Sequence, residues 1–283
     1  LRRQGPMCIR ARFITGCSTG LGRHFAQTVL ERGHNAVITA RNPEKIDDLV
    51  ATYPNTALAL ALDVTNKQQV QETVQAAQVR FGAIDVLLNN AGYGYRAAIE
   101  EGEDSDVARL FATNVSGPVN MIKATLPGMR SRRSGTIVNI SSVAPWLSMP
   151  GSGYYNATKA ALNSLSDTLR NEVAPLGIKV LVVEPGAFRT DFVGRSLHGS
   201  SIVIEDYAET VGPRRKGNDT TSGKQPGDPA KAANLLVDLV QRGDIPDHLL
   251  LGSDAYTWAH RVIEDEISKM QKWKDVSAST DFS

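Results

Sequence analysis

Cysteine, surplus charge and long apolar runs are all scarce in this 283-residue chain. The two cysteines, Cys8 and Cys17, are too few for a zinc cluster, and a chain of this length needs no disulfide. They read as small residues in a reduced compartment, with the cytoplasm as the expected location. Lysine and arginine number 31 against 30 acidic residues, a net charge of +1. No positive excess is left to bind nucleic acid or an anionic membrane surface. No run approaches the roughly 18 apolar residues of a membrane span. The first twelve residues are basic but lack an apolar stretch, so they do not read as a secretory signal. Residues 1–6, with Gln4-Gly5-Pro6 directly before Met7, read as an expression-tag remnant and are set aside. Internal repeats and low-complexity tracts are also missing.

What recurs is a short apolar run, a turn and then a helical pattern. The candidate strands are Arg12–Thr15, Ala36–Ala40, Ala57–Leu62, Val86–Asn89, Thr136–Ile140, Lys179–Val183 and Leu249–Leu251. Gly22–Arg32 and Lys67–Phe81 carry helical spacing, the latter with Val70, Val74, Ala77 and Phe81 on one face. Asn42 and Pro43 mark a helix start, while Gly33 and Gly177 mark helix ends. Alternating strands and helices predict one α/β domain over 7–283, a doubly wound parallel sheet of about seven strands covered on both faces. Leu197–Pro229 breaks the pattern, being rich in Gly, Ser, Thr and Pro. Following the motif around Pro185, it predicts a weakly structured substrate lid over about 188–229. Its basic triplet Arg214-Arg215-Lys216 reads as solvated surface. Arg130, Arg132 and Arg133 read as cations at a helix C-terminus. A helical extension is expected over 253–274.

The first strand runs into Gly16, Ser18, Thr19, Gly20, Leu21 and Gly22, and then a helix. Such glycines allow a tight turn and a close backbone approach to a pyrophosphate, which the helix N-terminus attracts through its free N–H groups. At the end of the second strand, where an NAD site places a carboxylate, this chain has Arg41. A guanidinium suits a 2′-phosphate, so NADP(H) is expected over NAD(H). Asp63, with Val64 after the third strand, reads as a cap for the next helix and also as an acceptor for the adenine amino group, the two roles being compatible.

Tyr155 and Lys159 stand four residues apart in a helical stretch and share a face. A phenol is a poor acid or base at neutral pH, and a neighbouring ammonium lowers its pKa. Thirteen residues before Tyr155, Ser142 closes the fifth strand, where its hydroxyl is placed to hydrogen-bond a carbonyl or alkoxide. Ser141 and Tyr154 are the rivals. Lys159 lies five residues from Tyr154, off its face.

The glycine loop, Asn89-Asn90-Ala91-Gly92, Asn114-Val115, Ser142, Tyr155-x-x-x-Lys159 and Pro185-Gly186 together resemble the short-chain dehydrogenase/reductase family, over about Phe13–Thr190. The resemblance implies a Rossmann fold and hydride transfer between a nicotinamide and a carbonyl or alcohol. It casts Tyr155 as the acid/base, Ser142 rather than Ser141 as the group polarising the substrate oxygen (thirteen residues before the tyrosine being the family's usual interval), and Lys159 as the ribose holder that depresses the Tyr155 pKa. Asn114 would anchor a water leading from Lys159 to solvent. Asn90, Ala91 and Gly92 would line the cofactor, and Pro185, Gly186, Phe188 and Thr190 would cradle its carboxamide end. No metal is implied. Family members form dimers or tetramers, here through Gly117–Met129 and Ser152–Val173.

Tyr93, Tyr95, Trp146, Leu147, Met149, Phe192 and Val193 are expected to face the substrate. An apolar set of this kind suits a hydrophobic carbonyl or secondary alcohol, as in the hydroxysteroid and retinol dehydrogenase-like branch. A catalytically silent nucleotide sensor and an epimerase or dehydratase on the same scaffold are the competing functions. The intact Ser142, Tyr155, Lys159 and Asn114 argue against the sensor.

Overall fold

The computed structural model describes residues 10–216 and 223–282. Seven strands form its central sheet: β1 (Ala11–Ile14), β2 (Asn35–Ala40), β3 (Ala57–Ala61), β4 (Val86–Asn89), β6 (Gly135–Ile140), β7 (Ile178–Pro185) and β9 (His248–Leu251). Their spatial order is β3-β2-β1-β4-β6-β7-β9, and every pairing is parallel. Each expected strand appears within two residues of its sequence-read bounds.

Both faces of the sheet are buried because successive strand residues point to opposite sides. Phe13, Val37, Ile137 and Val180 enter one core with Val70, Val74, Met121 and Met129 of the covering helices Lys67–Phe81 and Gly117–Arg132. Their neighbours Ile14, Ile38, Val138 and Leu181 enter the other, with Phe25 and Val29 of the helix Gly20–Glu31 and Leu236 and Val240 of Pro229–Arg242. Each fully buried side chain of this size contributes about 1.5–3 kcal/mol, which explains strands that read as unbroken apolar runs.

Local signals hold in detail. Asn42 accepts from the Glu44 N–H ahead of the Pro43–Ile46 turn. Gly33 and Gly177 both have positive φ at helix ends. The helix cap assigned to Asp63 is a correction. Asn66 caps Lys67–Phe81, taking the N–H groups of Gln68 and Gln69, whereas Asp63 Oδ1 takes the N–H and hydroxyl of Thr65. Cys17 is a buried free thiol whose pKa burial pushes up to about 12; Cys8 lies outside the described residues.

The segment after Pro185 is more ordered than its composition suggests. Its strand β8 (Leu197–Gly199) pairs in parallel with β5 (Gly94–Arg96). Glu101, fully buried, accepts from the Ile204 and Ala98 N–H groups and forms a salt bridge with Arg215. The Arg96 guanidinium donates to the Arg214 carbonyl, and Arg214 in turn reaches the Met149 thioether and the Ser152 hydroxyl. Arg214 and Arg215 are therefore structural ties rather than solvated surface. A buried carboxylate requires a counter-charge, and Arg215 provides it. The Lys216 side chain lies outside the described set.

Candidate active site

Parallel α/β sheets collect functional loops at the carboxyl ends of their strands. Here the loops after β1, β2, β3, β4, β6 and β7 line one cleft of about 1150 Å³. Gly16, Ser18, Thr19, Gly20 and Leu21 form its floor at one end, with Arg41, Asp63 and Val64 beside them. Asn90, Ala91, Gly92, Pro185, Gly186, Phe188 and Thr190 line its middle, and Ser142, Tyr155 and Lys159 face the same space.

The glycine loop is built for close approach. Gly16 has φ +72°, and a Cβ there would lie 2.9 Å from Ala91 Cα. Gly22 does not line the cleft but packs beneath it, where a Cβ would lie 2.3 Å from both Asn90 Nδ2 and the Gly16 carbonyl. Asn90 secures the loop by donating to the Thr15 and Gly16 carbonyls at 3.0 Å each, and the Thr15 hydroxyl takes the Asn90 and Ala91 N–H groups. Thr19 makes no side-chain cap to the helix Gly20–Glu31, so the first-turn N–H groups are not consumed by it. Bare first-turn donors, a loop with no room for side chains and an exposed cation at Arg41 fit a phosphorylated dinucleotide.

At the other end, helix Gly153–Val173 places Tyr155 and Lys159 one turn apart. The Ser142 hydroxyl accepts from the Ala144 N–H at 3.0 Å and lines the same cleft as the Tyr155 phenol. Lys159, 5% exposed, donates to the Ile140 carbonyl at 2.8 Å and holds Nζ 5.8 Å from the Tyr155 ring centre. Burial pushes the phenol up to about 12, opposed by the Ser142 hydroxyl, and pushes the ammonium down to about 8. Desolvation penalises both charged forms, so the Tyr155 pKa is raised where a depression by Lys159 was expected. Ser141 directs its hydroxyl at the Lys159 carbonyl, and Tyr154 sends its own to the Ile99 carbonyl.

Asn114 lies one layer behind the cleft, buried in a single π-helical turn, Ala112–Ser116. Its Oδ1 takes the Tyr93 N–H at 3.1 Å, and its Nδ2 donates to the Tyr93 carbonyl at 2.8 Å and the Thr158 hydroxyl at 3.2 Å. A Cβ on Gly92 would meet Asn114 Oδ1 at 3.1 Å and Lys159 Nζ at 3.6 Å, so these groups flank one point.

The substrate end departs from expectation. Tyr93, Tyr95 and Phe192 line the cleft, with Phe192 6.1 Å from the Tyr155 ring. Trp146 and Met149 do not line it: the Trp146 indole donates to buried Glu184, and Met149 is occupied by Arg214. Leu147 turns its carbonyl to Asn156 instead; the Val193 side chain lies outside the described set. Polar and charged groups also line it, namely Arg109, Asp106, Arg195 and His198. Asp254 was also illegible in sequence. Its carboxylate takes the Ala187 N–H at 2.8 Å and leaves no room for a Cβ on Gly186, which fixes the loop after β7. An acidic residue in the first turn of a helix was the sole signal, and it points only to the helix dipole.

Residues 10–200 match the short chain dehydrogenase family. The chain belongs to that family. A curated relative, an oxidoreductase of Botryotinia fuckeliana, is 36% identical over 95% of this chain and 98% of its own. The crystal structure of a short-chain dehydrogenase from Streptomyces avermitilis superposes with a TM-score of 0.90 at 42% identity, covering 97% of this chain and 100% of that one. ElxO with NADP bound superposes at 0.73 and 26% identity, over 88% of this chain and 99% of that chain. This short-chain dehydrogenase/reductase is therefore an NAD(P)-dependent oxidoreductase on a Rossmann-type sheet.

Proposed function

We propose that this chain interconverts a hydrophobic ketone or aldehyde and its alcohol with NADP(H), using Tyr155 as acid and base. The observation that carries the reading is that Ser142, Tyr155 and a buried Lys159, its Nζ 5.8 Å from the Tyr155 ring centre, line the same cleft as the glycine loop. The residues fit the dinucleotide: the loop 16–22, Asp63, Val64, Asn90, Ala91 and Gly92 bind its adenosine and phosphates, and Pro185, Gly186, Phe188 and Thr190 its nicotinamide end. Arg41, exposed at the cleft rim, supports NADP(H) over NAD(H). The bound nicotinamide supplies or accepts the hydride.

The chain's own groups handle the oxygen and its proton. Ser142 Oγ orients the substrate oxygen, and Tyr155 Oη delivers its proton as charge grows there. A phenol pushed up to about 12 keeps its proton at neutral pH, as a proton donor in the reductive direction requires. Lys159 supports the phenolate left behind and holds the ribose. Asn114 locks the Gly92–Tyr93 turn to Thr158 on the catalytic helix, beside Lys159, where a proton-relay water would be anchored. Tyr93, Tyr95 and Phe192 surround the substrate, and 188–216 with 223–229 serves as its lid, 217–222 lying outside the described residues. Helices Gly117–Arg132 and Gly153–Val173, with Leu165 exposed on the second, would pair copies as a dimer or tetramer.

The test is NADPH oxidation against aromatic ketones and quinones, with NADPH and NADH affinities measured in parallel. Wild type turns over and binds NADPH more tightly. Tyr155→Phe loses about 10²–10⁴-fold in kcat while its NADPH affinity stays within about twofold. Wild-type turnover by that variant refutes the mechanism.

A further inference from the structure

A second polar cluster lies just behind the active site, built around a carboxylate that the chemistry above does not use. Glu184 is 1% exposed, and donors from three elements meet it. Its Oε1 accepts from Trp146 Nε1 at 3.0 Å and from Asn163 Nδ2 at 2.9 Å, while Oε2 lies 3.1 Å from His248 Nδ1. The other imidazole nitrogen of His248 is 2.8 Å from Asp167 Oδ1. Arg170 joins from the same helix, donating to Asp167 at 2.7 Å and reaching Asp247 at 3.1 Å. Glu184 thus faces His248 on β9, which in turn faces Asp167, with Arg170 and Asp247 beyond.

Placement gives this network its meaning. Trp146 stands four residues after Ser142, Asn163 one helical turn after Lys159, and Glu184 directly before Pro185. The Val143 N–H also donates to the Pro185 carbonyl at 3.0 Å. One carboxylate therefore joins the serine turn, the tyrosine–lysine helix and the loop under the nicotinamide end. A buried carboxylate is costly, and an apolar residue would fill the space more cheaply if packing were the only need.

We propose that Glu184 is a positioning residue, holding Ser142, Tyr155 and Lys159 in mutual register through Trp146, Asn163 and His248. The inference rests on the reading that those three residues carry the chemistry. To donate to both carboxylates His248 must be the imidazolium, since the neutral ring has one N–H. Its deprotonation leaves either Glu184 or Asp167 without that donor, so the register loosens as pH rises.

The test uses the full chain with Trp146→Phe, which removes one donor and keeps the ring, and Glu184→Gln, which removes the charge and keeps the shape. Tyr155→Phe is the reference. The first readout is the ζ-¹³C resonance of Tyr155 in cofactor-free protein labelled at tyrosine, assigned by its loss in Tyr155→Phe. It reports the phenol's surroundings and needs no substrate. The second is kcat and KM for NADPH-driven reduction of phenanthrenequinone across pH. The expected result is a shifted Tyr155 resonance in both variants and a kcat lower by about 10- to 100-fold. KM for NADPH stays within about twofold of wild type, and Glu184→Gln also loses the alkaline fall in kcat. A wild-type resonance and wild-type kcat in folded Trp146→Phe and Glu184→Gln overturn the proposal, even though Tyr155→Phe is inactive. Full turnover by Tyr155→Phe instead overturns the active-site reading, and this proposal falls with it.

Discussion

Lys159 holds a charge where the protein interior disfavours one. Burial lowers its pKa from the ordinary 10.5 to about 8. The unfolded chain binds that proton more tightly, so below pH 8 the folded state bears the full penalty, which fades as pH rises from about 8 to 10.5. The penalty is about 3 kcal/mol at neutral pH, and the hydrogen bond to Ile140 returns about 1 kcal/mol of it. Lys159→Met is therefore expected to raise the melting temperature at pH 7 by about 5 °C and to abolish turnover. The gain should vanish above pH 10. Thermal scans of both proteins from pH 6 to pH 10.5 provide the check, and an unchanged or lower melting temperature at pH 7 counts against the account. At this scale the sequence was most legible where backbone geometry forces the residue: Gly16 and Gly22 have no space for a side chain. It was least legible for Trp146 and Met149, since an aromatic or thioether in the turn and loop after a strand is free to point to either side. Here a carboxylate and a guanidinium drew them away from the cleft.

Among the elements, the helix Ser253–Lys272 shows how a segment outside the motif region supports the site. Only Ala255 and Ala259 are buried along it, yet Asp254 in its first turn receives the Ala187 N–H and crowds Gly186. Asp254→Ala leaves that buried-side N–H without its charged partner, at a cost of about 1–3 kcal/mol. The expected outcome is about a tenfold weaker NADPH affinity by fluorescence titration, with the helix retained by circular dichroism. Unchanged affinity would mean that Gly186 is held by Leu251 alone, through its 2.9 Å backbone bond. The strands were legible because two-sided burial imposes unbroken apolar runs, and Lys67–Phe81 because its apolar face repeats at helical spacing. The cap at Asn66 was hidden by Asp63, three residues earlier and equally suited in isolation. Only the path of the chain between them decided which side chain reached the free N–H groups.

For the whole molecule, the segment after β7 is fastened to the body by charge as well as by the β5–β8 pairing. Burial alone would raise the Glu101 pKa, but the Ile204 and Ala98 N–H groups and Arg215 hold it below the usual carboxylate value. Its contribution is present above the ordinary carboxylate pKa near 4.5 and is lost as pH falls through the lowered one. Arg215→Met removes the counter-charge, and trypsin or thermolysin is expected to cut within 188–216 on the order of tenfold faster, while the sheet core stays resistant. Equal cleavage rates would show that the backbone pairing alone holds the segment. By itself the sequence determined the strands and the glycine turn, and it set Tyr155 and Lys159 one helical turn apart. Each depends on residues near one another in the chain, through side-chain period, turn sterics or helical spacing. Tertiary structure alone decided that Asn114 braces Tyr93 against Thr158, that Asp254 and Glu184 support the loop after β7, and that the cleft mouth carries Arg109, Arg195 and His198. Those relations join residues tens to over a hundred positions apart, and a buried polar group takes whichever partner the fold brings within hydrogen-bonding distance.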